Sequence, residues 1–506
     1  MKTRQIDVLF IEPNSSTESY QALAQRYSAI ETPTWSLLLA NSMRSFGFLP
    51  AIIDANAERF SPAQVAGVVK YINPKLVVFV VYGQNPNSGT VNMSGAIEEA
   101  AVLREHYPEF KICFVGSHAS ALPKEVLGFS CIDFVLLNEG VYALRNLLQS
   151  KMTGNLSSVE GIGWKDGDTL ILNKPAPLVP QERMDIDLPG YAWDLLPYRN
   201  KPFDLYRAHF WHTGYTTSVR QPFAAIYTSF GCKFGCEFCM INILNRTDNR
   251  EDAVSSDFRV MRWWSSDFIL KEFEKLAEYG VPNIRLSDEM FFLNKPHYQP
   301  IVEGLIQRKL GLNMWAYSRV DTCRKEWLDR FKQAGINWLA LGIEAGEQNI
   351  RQEITKGSFK DVNIREVVRE IKDSDINIVG NYIFGFPSEK MSDLKSTLGL
   401  ALELNTEQFN LYTAMALPGS PLYRKAFPET KGTLYENYGF LSYKCKPLPT
   451  KYLSSEEVLR FRDEAWHIYN SSPAYLDLIE KKFGRESRDN IVELSSIRLK
   501  RQILGD

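Results

Sequence analysis

The chain has 506 residues, 58 Lys+Arg against 60 Asp+Glu, a formal charge of −2, and a 44 % apolar share with 12 % aromatics. That is enough chain for several cores at about 150 residues per domain, and the composition excludes a disordered protein. The near-neutral charge gives no global attraction to nucleic acid or acidic lipid, and the apolar run Leu76–Tyr82 falls far short of the ~20 residues that span a bilayer. The opening Met1–Asp7 meets an acid at the seventh position and has no signal-peptide core. These features predict a cytoplasmic protein with no membrane span and no nucleic-acid partner.

From the N-terminus, strand-like and helix-like segments alternate. Ile6–Ile11 reads as a strand ended by Glu12-Pro13-Asn14, and a helix from Thr34 carries Trp35, Leu38, Leu39, Met43 and Phe46 on one side. Strands follow at Ala51–Ile53, Leu76–Val81, Lys111–Val115 and Asp133–Leu136, with helices near Pro62–Tyr71 and Ser94–His106. The unbroken run Leu76-Val77-Val78-Phe79-Val80-Val81 is that of a strand buried on both faces. This alternation predicts a doubly wound parallel sheet over residues 1–150, with ligands at the carboxyl ends of its strands. The segments there are Asn14, Tyr82-Gly83-Gln84-Asn85, Gly116-Ser117-His118-Ala119-Ser120 and Glu139-Gly140. No G-x-G-x-x-G follows the first strand, which disfavours a dinucleotide.

Residues 151–220 read as a linker with a hairpin turning at Asp166-Gly167, followed by six prolines between Pro175 and Pro202. From 221 to 450 the alternation resumes, with strands at Phe223–Thr228, Asn283–Ser287, Asn313–Ser318, Trp338–Ile343, Ile376–Phe384 and Gln408–Met415. Six βα units predict a partial (β/α)6 barrel of the TIM type, with its chemistry at the C-terminal rim. Residues 451–506 read as a helical C-terminal region, opened by the capping box Ser454-Ser455-Glu456-Glu457 and ended by a solvated face around Arg498–Arg501.

Seven cysteines are too few for a disulfide framework. Cys113, Cys131, Cys323 and Cys445 are scattered and read as packing groups, whereas Cys232, Cys236 and Cys239 crowd directly after the first barrel strand. Three thiolates spaced C-x₃-C-x₂-C on one loop suit three irons of a [4Fe–4S] cluster, leaving the fourth iron open to a chelating ligand. A structural zinc site wants four closed ligands, and the nearest histidines, His209 and His212, lie upstream of that strand.

The triplet, with Phe238 before its last cysteine, resembles the signature of the radical S-adenosylmethionine (SAM) superfamily. Asn283–Glu289, Gly342-Ile343-Glu344-Ala345-Gly346 with Lys356-Gly357, Gly380–Pro387 and Leu417–Tyr423 resemble, in order, that superfamily's later strand motifs. The upstream sheet makes the whole chain similar to the cobalamin-binding radical SAM enzymes. Gly116-Ser117-His118-Ala119-Ser120 looks like their G-G-x-H-A-T segment, with Ser117 and Ser120 as departures and one residue fewer before the histidine. The D-x-H-x-x-G motif of histidine-ligated cobalamin proteins is absent, which implies a base-off cofactor with no histidine on cobalt.

The resemblance implies a cluster, SAM and cobalamin. Cys232, Cys236 and Cys239 would hold iron. Phe238, Asp288, Glu289, Ser318, Arg319 and Glu344 would face SAM. Asn14, Tyr82, Gly83, Asn85, Gly116, Ser117, His118, Glu139 and Gly140 would face cobalamin. It further implies reductive SAM cleavage to a 5′-deoxyadenosyl radical, fed by a flavodoxin- or ferredoxin-type donor. Methyl transfer to an unactivated carbon of a small-molecule intermediate would follow; the alternative is radical cyclisation, oxidation or rearrangement without methyl transfer. Trp211, Trp263, Trp264, Tyr317 and Tyr412 are candidates for an apolar substrate pocket.

Overall fold

The computed structural model describes residues 5–216, 222–359, 361–427 and 435–506. The junction between the expected linker and barrel, 217–221, lies outside them.

The first sheet has seven strands: β1 (Val8–Glu12), β2 (Pro50–Asp54), β3 (Leu76–Val81), β4 (Ile112–Gly116), β5 (Phe134–Leu136), β6 (Ile162–Asp166) and β7 (Thr169–Leu172). Their order is β2-β1-β3-β4-β5-β6-β7, with the first five parallel and the last two antiparallel. The hairpin that the sequence places in the linker therefore extends this sheet. A helix at Val141–Gln149, which the strand pattern did not announce, follows β5.

Period-two alternation on β3 sends Val78 and Val80 to one face and Val77, Phe79 and Val81 to the other. The two faces belong to different cores. The Val77 face packs under the helices Pro62–Ile72 and Met93–His106, while the Val78 face joins one apolar cluster that continues into the barrel. The modules thus share a core and do not hang on a flexible joint.

The barrel strands are β8 (Phe223–Ile226), β11 (Asn283–Leu286), β12 (Asn313–Arg319), β13 (Ile336–Glu344), β14 (Asn377–Phe384) and β15 (Gln408–Thr413), with the short pair β9 (Ser229–Phe230) and β10 (Arg262–Trp263) beside them. The six pair in parallel in the order β15-β14-β13-β12-β11-β8, an open arc whose two end strands do not pair with each other. The C-terminal region is helical at Ser455–Asn470, Pro473–Phe483 and Arg485–Ser496, and the Ser454/Glu457 capping box forms. No helix among the described residues is long and apolar enough to cross a membrane.

Two expectations need correction. The charged end is not wholly a solvated face: Arg501 is buried and donates to both carboxylate oxygens of Asp463 and to the carbonyls of Phe440 and Ser442. Its charge has a local partner, which a sequence run of basic residues hides. The linker aromatics Trp193 and Tyr198 both read from the sequence as packing groups; Trp193 is buried and donates to Glu272, whereas Tyr198 is exposed.

At the contact between modules, Trp35 lies between Tyr82 at 4.1 Å and Phe230 at 4.7 Å, with all three rings nearly parallel. Truncating the middle ring leaves two faces without contact. Trp35→Ala is expected to cost about 3–5 kcal/mol, read as a lowered denaturation midpoint for the whole chain.

Candidate active site

The cysteine loop leaves β8 and turns at Gly231, whose φ is +81°. A Cβ there would lie 2.0 Å from the Val260 carbonyl oxygen, so only glycine fits this turn. Asn242 pins the loop's first cysteine: its Oδ1 accepts from the Cys232 amide at 3.0 Å and its Nδ2 donates to the Cys232 carbonyl at 2.8 Å. At the far end, Asn87 from the segment after β3 accepts from the Met240 amide at 3.0 Å and places its Nδ2 3.7 Å from Cys239 Sγ. The first sheet thereby reaches across and holds the barrel's thiol loop.

All three cysteines line one cavity of about 900 Å³. Burial pushes the Cys232 thiol up to about 12 and Cys236 up to about 11, and Cys239 well above its ordinary value. Thiols so placed ionise only when a cation compensates them. Among the described residues, no three His, Cys, Asp or Glu side chains group closely enough to hold a single metal ion. Three separated thiols at one cavity wall suit a polynuclear cluster, in which each binds a different iron.

The remaining expected SAM residues divide. Phe238 lines the cavity and packs on Phe386 at 5.8 Å. Glu344 lies at the end of β13, in left-handed backbone at φ +68°, where the register with β14 slips between Gly342 and Glu344. A Cβ on Gly342 would come within 2.6 Å of Glu344 Oε1, so the missing side chain makes room for this carboxylate. Burial raises Glu344 to about 7, against the lowering influence of Arg319. Glu289 follows β11; burial raises it to about 8, Asp288 adds to this and Arg285 opposes it. Both carboxylates line the cavity, and neither engages a hydrogen-bond donor among the described residues.

Asp288 is otherwise employed. It accepts from the Thr228 amide and hydroxyl, each at 2.6 Å, and from Ser229 Oγ, and it does not line the cavity. Of the two adjacent acids, Glu289 is the one open to a ligand. Ser318 lines the cavity, with its hydroxyl on the Arg319 carbonyl at 3.1 Å. Arg319 also faces it, but pairs bidentately with Asp321 at 2.8 and 2.5 Å and stacks 3.8 Å over Phe234.

From the first sheet, only Gly83 and Asn85 of the nine expected cobalamin residues line the cavity. Tyr82 is buried in the ring stack and donates to the Asn138 carbonyl at 3.0 Å. Ser117 donates to the Pro86 carbonyl at 2.5 Å, and the buried His118 ring lies 3.2 Å from Thr90 Oγ1 and 3.3 Å from Glu125 Oε1. Glu139 takes the Arg262 guanidinium at 2.7 Å and the Val179 amide at 2.6 Å. The Asn14 amide donates to Glu99, and Gly116 and Gly140 pack against Val81 and Val115. These seven knit the strand ends together. The wall itself comes from Gln84 and Asn87 of the segment after β3 and from Ser15, Ser16, Ser19 and Tyr20, which the sequence pattern does not single out. Small polar residues of this kind admit close approach of a large polar ring system, so the wall fits a corrin face, whereas the Gly116–His118 segment is closed.

A model of the radical SAM superfamily matches residues 226–401. Residues 226–401 thus match a radical SAM domain, and the chain as a whole has a fold shared with two solved cobalamin-dependent enzymes. Among solved structures this chain superposes on the methyltransferase TsrM from Kitasatospora setae, holding cobalamin and a [4Fe–4S] cluster, with a TM-score of 0.65 at 14 % identity over 93 % of this chain and 90 % of that one. The cobalamin-dependent radical enzyme OxsB matches with a TM-score of 0.59 at 18 % identity over 95 % of this chain and 61 % of its own. An uncharacterized methyltransferase of Pyrococcus horikoshii is 25 % identical over 84 % of this chain and 85 % of its own. The bacteriochlorophyllide d C-12(1)-methyltransferase of Chlorobaculum tepidum is 23 % identical over 46 % of this chain and 48 % of its own.

The Asn87 contact has a measurable consequence for a radical SAM domain. An N–H donor beside a cluster thiolate favours the reduced form. Asn87→Ala is therefore expected to move the reduction potential of the cluster to a more negative value, read by electron paramagnetic resonance in a redox titration.

Proposed function

We propose that this protein is a cobalamin-dependent methyltransferase acting on an unactivated carbon of a small-molecule intermediate, with electrons from a flavodoxin- or ferredoxin-type donor. One observation carries the reading: the three cysteines and the loops of the first sheet line the same cavity. The cofactors, when bound, supply reductive SAM cleavage and a transferable methyl group. The chain's part is placement and exclusion. Cys232, Cys236 and Cys239 anchor the cluster, and the open carboxylates Glu289 and Glu344 take the amino group and ribose of SAM. Phe238 packs beside the adenine, with Ser318 and Arg319 completing that wall. Gly83 and Asn85, with Ser15, Ser16 and Gln84, face the corrin. The apolar walls and the shared core keep competing hydrogen donors out. Relatives named as methyltransferases support transfer over the other radical outcomes, and TsrM has been seen with a tryptophan substrate.

The test is product balance in anaerobic turnover. S-adenosylhomocysteine appearing together with 5′-deoxyadenosine is the expected result. 5′-Deoxyadenosine alone would replace methylation by cyclisation, oxidation or rearrangement.

A further inference from the structure

Two buried donors at one end of the cavity, Arg285 Nη1 and Trp315 Nε1, lack an acceptor, and beside them Glu31 Oε2 meets only the Arg285 guanidinium. Orphaned buried groups are rare, and two in one place beside a carboxylate with spare lone pairs mark a missing ligand better than one does. Arg285 is 98 % buried by side chain, and its other donors are placed: Nε on Ser287 Oγ at 3.1 Å, Nη2 on the Gln84 carbonyl and 2.8 Å from Glu31 Oε2. Glu31 Oε1 meets His209 Nε2 at 2.9 Å. The guanidinium lies 5.6 Å over the Trp315 ring, and Trp211 meets Trp315 edge-on at 5.3 Å. Tyr317 lines the same end.

Resting on the methyltransferase reading above, we propose that Glu31 and Arg285 hold the head of the substrate, and that this head is a zwitterionic α-amino acid group on an apolar or aromatic body. The argument is one of charge. A bare carboxylate brought to Arg285 Nη1 would also approach Glu31, and a bare ammonium brought to Glu31 Oε2 would approach Arg285. Either leaves a buried net charge, which is costly at this depth. A carboxylate and an ammonium on one carbon satisfy the open Arg285 Nη1 donor and the spare acceptor capacity of Glu31 Oε2 and add no net charge. Trp211, Trp315 and Tyr317 then offer flat apolar walls to the body, with Trp315 Nε1 left to donate to a carboxylate oxygen. Because Glu31 comes from the segment just before the Thr34–Ser45 helix and Arg285 from β11, the head sits where the two modules meet.

The test uses the anaerobically reconstituted, SAM-loaded enzyme and three probes with one body: L-tryptophan, tryptamine and indole-3-propionate, titrated by calorimetry. L-Tryptophan is expected to bind at least about tenfold more tightly than either truncated probe, the value of one charged hydrogen bond. Arg285→Gln is expected to weaken L-tryptophan and leave tryptamine unchanged, and Glu31→Gln to weaken L-tryptophan and leave indole-3-propionate unchanged. Equal binding of the three probes, no binding of any, or L-tryptophan binding untouched by both variants overturns the proposal. Measuring S-adenosylhomocysteine formation separately keeps the readings apart. Selective binding without that product sinks the methyltransferase reading alone, and the product without selectivity sinks the amino-acid head alone.

Discussion

Cys236→Ala, purified and reconstituted without oxygen, is expected to lose SAM cleavage to background while the fold survives. The side chain is half-buried at the wall of a cavity, so its loss opens no new void in the core. What disappears is one of three anchors for iron, and with it the geometry that presents an open iron to SAM. Iron and labile sulfide should fall in parallel with 5′-deoxyadenosine formation. The contrast is Cys113→Ala: that thiol is fully buried in the first sheet, pushed well above its ordinary value by desolvation, and its variant should keep a full complement of iron. A Cys236→Ala protein with wild-type iron and sulfide would remove the thiol triplet from the site.

The second large effect concerns Glu289. Glu289→Gln is expected to weaken SAM by about 10–100-fold, the loss of an ionic acceptor for an ammonium. The pH dependence gives a sharper signature. Burial holds Glu289 near 8 and Glu344 near 7, so at lower pH both are neutral and offer an ammonium little. SAM affinity should therefore tighten as pH rises through about 7 and then about 8, and the substitution should erase the upper step. The stability of the ligand-free chain should move the other way. Both groups titrate above their ordinary 4.5, so the folded state holds protons that the unfolded state has released. Their contribution is fully present below about 4.5 and declines as pH climbs to about 8. A denaturation midpoint that rises over this window would contradict the assignment.

Much of the architecture is legible in the sequence because burial writes itself into simple patterns. The Val-rich run of β3 has to be a two-faced interior strand, and the six barrel strands fall where apolar runs precede polar rims. The cysteine loop is equally plain, since no other arrangement of seven cysteines groups three of them so closely. The hairpin at β6–β7 was visible as a hairpin, but its pairing to β5 is a long-range choice that local alternation does not encode. His118 shows a different limit. A histidine after a strand suits a ligand loop and suits a buried hydrogen-bonding post, and its contacts with Thr90, on the preceding loop, and Glu125 decide between them. Arg501 was hidden likewise by its distant partner Asp463. Arg285 did leave a trace, a charge between the apolar Ile284 and Leu286 of its strand, but its meaning depends on Glu31 from the other module. Of the residues expected to face cobalamin only Gly83 and Asn85 line the cavity, because backbone turns and not residue type decide which side chains of a loop face open space.

The reach of Asn87 onto the thiol loop bears on how the protein matures. Domains leave the ribosome N-terminal end first, so the β1–β5 layer and its Asn87 arm are complete before Cys232 emerges. Iron and sulfide then arrive at a lip already braced from behind. Synthesised alone, the downstream half would present the same ligands on an unbraced loop, and its metal uptake would become sensitive to whichever scavenger reached it first.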